Sequence, residues 1–90
     1  MTTLKEHIAE ELKNPEFAAL WEESEAEYQM QKAIIAARGE AGMTQEELAK
    51  AAGMKREAIS RLEAGNANPT IKTIYRIARA TGKRVELRFV

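Results

Sequence analysis

Glu47-Leu48-Ala49-Lys50-Ala51-Ala52-Gly53-Met54-Lys55-Arg56-Glu57-Ala58-Ile59-Ser60-Arg61-Leu62-Glu63 is the stretch on which the fold turns. Leu48 and Ala52 lie one helical turn apart, as do Ala58 and Leu62, and Ile59 and Leu62 share a face three residues apart. Apolar residues at that spacing belong to two short helices that turn their greasy sides toward each other. Ala49 is small where the second helix crosses the first. Gly53 stands where the chain must reverse, and glycine alone takes a positive φ cheaply.

Two helices joined by so short a turn can set the second one in the DNA major groove, as a helix-turn-helix does. At 100° per residue, Arg56, Glu57, Ser60 and Arg61 fall on one arc, turned away from Ile59 and Leu62. An arginine can contact guanine through two hydrogen bonds, a glutamate can accept from cytosine or steady the arginine, and a serine can do either. A solvated charged face is the plainer alternative for the same four residues.

Outward from this stretch, Thr44 and Glu47 make a capping-box pattern that opens the first motif helix at Gln45. Ala64-Gly65 ends the second, residues 66–69 form a polar turn, and Thr70 is a natural N-cap for a helix carrying Ile71, Ile74, Ile77 and Ala78 up to Gly82. Upstream, Thr3 and Glu6 are another capping box, and Leu4, Ile8 and Leu12 recur every fourth residue, which predicts a helix over 4–13. Asn14-Pro15 stops it. Pro15 suits the first turn of a second helix with Phe17, Leu20 and Trp21 on one side, which either continues or breaks near Ser24. A helical pattern runs on from Glu25 through Tyr28, Ile34, Ile35 and Arg38 to Gly39, with Gly42 closing it. Arg84-Val85-Glu86-Leu87-Arg88-Phe89-Val90 alternates with a period of two and reads as a strand. A single strand leaves its edge open, so it either pairs with the same strand of a second copy or frays.

Ninety residues make one small domain with room for an appendage. The absence of cysteine removes disulfides and zinc-thiolate sites and suits a reducing cytoplasm. No apolar run approaches the roughly 18 residues a membrane span needs, so a soluble cytoplasmic protein is expected. The chain is neutral overall but divided. Residues 1–42 hold four basic residues against nine glutamates, a net −5, and residues 43–90 hold ten against five, a net +5. Such asymmetry suggests a basic face for phosphates and an acidic face for a basic partner. An enzyme lacks its parts here: His7 is the only histidine, aspartate is absent, Ser24 and Ser60 are the only serines, and no glycine-rich phosphate loop occurs. No cofactor and no metal are expected.

Thr44-Gln45-Glu46-Glu47-Leu48-Ala49, Gly53-Met54, residues 59–65 and Asn68-Pro69 resemble the phage Cro and repressor-like helix-turn-helix proteins (XRE family), over roughly residues 30–82. With Asn14-Pro15-Glu16-Phe17, Trp21, Tyr28, residues 35–38 and residues 85–89 included, the whole chain looks like HigA-type antitoxins of bacterial type II toxin-antitoxin modules. The resemblance implies an all-α, five-helix lambda-repressor-like DNA-binding domain at 25–82, an N-terminal helical extension at 1–24 and a short C-terminal β-strand at 83–90. It implies a homodimer on double-stranded operator DNA, contacted by Gln45, Lys55, Arg56, Glu57, Ser60, Arg61, Asn66 and Lys72. Arg38 and Glu63 occupy positions of a buried ion pair. A basic RelE/HigB-like messenger-cleaving toxin would be held by Leu4, Ile8, Leu12, Phe17, Leu20 and Trp21, unless that stripe packs on the chain's own core. Val85, Leu87 and Phe89 are the candidate dimer strand, with the helix over 71–81 as the other possible dimer surface. A solitary transcriptional repressor without a toxin shares every DNA-binding residue and differs only in what the extension does.

Overall fold

The computed structural model describes residues 3–90, so the first two residues of the N-terminal extension lie outside it. Five helices follow one another: α1 (Leu4–Glu11), α2 (Pro15–Glu40), α3 (Gln45–Ala52), α4 (Arg56–Glu63) and α5 (Ile71–Ala80). Local chemistry sets their starts. Thr3 and Thr44 each close a capping box, and Thr70 accepts from the Thr73 N–H. Asn14, which the sequence presents as a stop, also begins the next helix, its side chain accepting from the N–H groups of Glu16 and Phe17 ahead of Pro15.

α2 runs unbroken through Ser24. Between Pro15 and Gly39 the chain has neither proline nor glycine and is rich in Ala, Glu and Gln, so nothing interrupts the hydrogen-bond ladder. Its 26 residues span about 39 Å, most of the 49 Å length of the molecule. The radius of gyration, 16.0 Å, exceeds the roughly 12 Å of a compact chain of this size.

The core occupies one end of that rod. Ile34 of α2, Leu48 and Ala49 of α3, Ile59 and Leu62 of α4 and Ile77 of α5 form one buried cluster, edged by Met30, Met43, Met54, Ala67 and Ala80. Four helices thus build the core, and α1 contributes no buried residue. Thr81, also buried, donates its hydroxyl back to the carbonyls of Ile77 and Ala78 at 3.0 Å, which satisfies it at the end of α5.

The strand expected over 84–90 does not form. Residues 83–90 carry no regular structure, and no other extended segment among the described residues offers its N–H and C=O groups a ladder partner. Val85 and Leu87 instead border an apolar groove of about 440 Å³ between α2 and α5. Lys83 pairs with Glu40 at the end of α2, and this contact holds the Glu40 carboxyl below its usual pKa.

Candidate nucleic-acid interface

α3 and α4 meet through Gly53, Met54 and Lys55. Gly53 takes φ 68° and ψ 35°. Its N–H bonds to the Lys50 carbonyl at 3.3 Å, and the Met54 N–H bonds to the Ala49 carbonyl at 2.8 Å. This Schellman closure turns the chain within three residues and packs α4 against α3, with the small Ala49 buried in the core they share. The same two-bond pattern, from a left-handed glycine and its successor, ends α2, α4 and α5.

The crossing divides α4 into two faces. Ile59 and Leu62 are buried, whereas Arg56, Glu57, Ser60 and Arg61 are all exposed along the opposite side. Lys55 is the N-cap, exposed and extended, and its side chain makes no capping bond. The first N–H groups of α4 therefore lack a side-chain acceptor and present the positive end of the helix dipole beside Lys55 and Arg56. Gln45 is half-buried at the first position of α3, next to the Thr44 cap. There the Thr44 N–H donates to Glu47 at 3.0 Å and lowers the Glu47 pKa. Asn66, directly after α4, and Lys72, in the first turn of α5, are both exposed.

Arg38 and Glu63 fix how α4 is presented. The Arg38 Nε donates to Glu63 Oε2 and its Nη2 to Glu63 Oε1, each at 2.8 Å. Its Nη1 donates to the Met43 carbonyl at 3.0 Å. One guanidinium thus joins the end of α2, the α2–α3 loop and the last turn of α4 with three hydrogen bonds in fixed planar geometry. Glu63 is 6% exposed at its side chain and Arg38 23%. The hydrogen bond to Glu63 raises the Arg38 pKa further despite the opposing cost of burial, so the guanidinium stays charged. The Met43 carbonyl is the member of this site that sequence reasoning missed. A backbone acceptor leaves no mark on the residue that carries it; only its place just after Gly42 hints at the role.

Residues 34–87 match the helix-turn-helix family. The chain belongs to that family. A relative named "Uncharacterized HTH-type transcriptional regulator" from Archaeoglobus fulgidus is 49% identical over 53 residues, covering 59% of this chain and 76% of the relative. A protein of the same name from Methanothermobacter thermautotrophicus is 48% identical over 46 residues, 51% of this chain and 67% of the relative. No solved structure matches. The family match begins at residue 34, so α1 and most of α2 stand outside the helix-turn-helix unit.

That outer region carries the apolar stripe. Leu4 is 76% exposed and Leu20 64%, Leu12 and Trp21 are over a third exposed, and Ile8 and Phe17 are half-buried. Phe17 and Trp21 stack on each other with ring centroids 6.4 Å apart. None of the six joins the helix-turn-helix core. Among the described residues no cluster of His, Cys, Asp or Glu could hold a metal ion, and no helix is long and apolar enough to cross a membrane.

Proposed function

We propose that this chain is a transcriptional regulator of the XRE type that binds double-stranded operator DNA and represses transcription, with α4 as the base-reading helix. One observation carries the reading: Arg56, Glu57, Ser60 and Arg61 stand exposed together on a helix whose other face is buried and whose end is held by Arg38. Arg56 and Glu57 would meet base edges first, with Ser60 and Arg61 one turn later. Gln45, Lys55, Asn66 and Lys72 would contact phosphates around them. The regulator names borne by the relatives support this assignment.

Gel-shift titration with promoter fragments from upstream of the chain's own gene tests it. Retardation is expected, with log affinity falling by about 0.9 per log unit of salt for each phosphate neutralised. No retardation in dilute electrolyte overturns it. Arg56→Ala should weaken binding by about 1 to 3 kcal/mol and relax one base position. Equal loss at every operator base would instead make Arg56 a phosphate contact.

A second reading, a HigA-type antitoxin that also neutralises a RelE/HigB-like toxin, is favoured by one feature. The acidic arm leaves Leu4, Leu20 and part of Trp21 in solvent, where a basic partner could cover them. Capture of the adjacent reading frame's product by the wild-type chain, lost on Leu20→Glu, separates this reading from a solitary repressor.

A further inference from the structure

We propose that the outer face of α5, with Tyr75, Arg76 and Arg79 on the helix and Arg84 beyond its end, holds the phosphates of nucleic acid without regard to sequence and supplies most of the electrostatic attraction that α4 lacks. The proposal rests on the regulator reading for its partner and goes beyond it in where the affinity originates.

The positive charge of the C-terminal half is unevenly placed. Residues 43–65, which contain α3 and α4, hold four basic residues against four glutamates, a net of zero. Residues 66–90 hold Lys72, Arg76, Arg79, Lys83, Arg84 and Arg88 against Glu86 alone, a net +5. The whole excess therefore lies outside the base-reading pair. A neutral helix pair draws a polyanion weakly, so the attraction to phosphates must come from α5 and the residues after it.

α5 displays these cations along one side. At 100° per residue, Lys72, Tyr75, Arg76 and Arg79 share an arc of about 100°, and all four are exposed, turned away from the buried Ile77. Lys72 to Arg79 covers about 10.5 Å of helix axis, a length over which one strand of a duplex presents about three phosphates. The ion pairs among the described residues are Arg38–Glu63 and Lys83–Glu40, which leaves Arg76, Arg79 and Arg84 without a carboxylate partner.

The Arg79 Nη1 donates to the Tyr75 hydroxyl at 3.4 Å, so that hydroxyl keeps its own hydrogen for an anion. A hollow lies on each side of this pair. One, of about 450 Å³, is bounded by Ala51 and Ala52 of α3 and by Arg76. The other, of about 370 Å³, is bounded by Lys83, Arg84 and Val85. Neither is lined by a glutamate. Cations strung along a helix, instead of gathered around one enclosed point, suit a polymer of phosphates better than a single small anion.

Gel-shift titration over a salt series, with the chain's own promoter fragment and with an unrelated duplex of equal length, tests the assignment. Arg76→Gln/Arg79→Gln should lower the slope of log affinity against log salt by about 1.8, 0.9 for each phosphate released, with both duplexes. It should weaken both at least about tenfold near 0.1 M salt, leaving the ratio of the two affinities and the helical circular dichroism unchanged. Arg76→Lys/Arg79→Lys keeps the charge and should keep the slope. Slopes unchanged in the glutamine variant, or a loss confined to the promoter fragment, overturn the proposal. So does inorganic phosphate bound by the wild type and not by the glutamine variant while both slopes stay the same, which would make a small anion the occupant. A chain that binds both duplexes equally through Arg76 and Arg79 fails the regulator reading alone.

Discussion

Residues 4–21 and residues 45–80 are both written as amphipathic helices, yet only the second region buries its apolar side. Leu48 and Ile59 are fully enclosed, whereas Leu4 and Leu20 are mostly in solvent. Periodicity states that a helix has a greasy side; it does not state what covers it. In the second region the helices are 8, 8 and 10 residues long and reverse through tight glycine turns, so their faces are brought together. In the first, α1 leads into a 26-residue rod of which only the far end reaches the core.

The contrast predicts a graded set of outcomes. Leu48→Ala removes a fully enclosed side chain from the packed region and should cost about 2 to 5 kcal/mol in urea denaturation. A loss near zero would mean that the two regions do not differ in packing. Arg38→Ala strands the Glu63 carboxylate and should cost about 3 kcal/mol, with loss of DNA retardation. Unchanged melting and affinity would remove Arg38 from its positioning role.

A smaller effect concerns pH. The Thr44 N–H holds Glu47 below its ordinary pKa of 4.5, so the folded state binds this proton more weakly than the unfolded state does. That contribution is present above 4.5 and is lost as pH falls through the lower folded value. Glu47→Gln should therefore reduce the acid dependence of stability in that window, and an identical acid limb for the two proteins would count against the capping contact. The smallest effect belongs to the arm: Leu20→Ala should change the unfolding free energy in urea by less than about 0.5 kcal/mol, and a larger loss would show that the stripe is covered by the chain itself.

Much of the packed region was legible from residues alone. Thr44, Gly53 and Thr70 each announce a local geometry that their chemistry nearly dictates, and Leu48, Ile59, Leu62 and Ile77 were evident from spacing. The Arg38–Glu63 contact bridges 25 positions, and no periodicity reveals such a pair; only likeness to a family suggested it. The state of residues 84–90 was not legible either, because strand formation depends on a partner edge that this single chain does not contain. Continuity through Ser24 was open in the sequence because a serine among helix-formers permits either outcome.

The unbroken α2 has a geometric corollary. Trp21 and Arg38 ride on one helix, 17 positions apart, so they are separated by about 25 Å along its axis and about 100° around it. The helix is both ruler and protractor: whatever grips the tryptophan is held at a set distance and bearing from the guanidinium that aims α4. Inserting a single alanine between them would lengthen the ruler by only about 1.5 Å while closing the angle, so that Trp21 would lie on nearly the same bearing as Arg38.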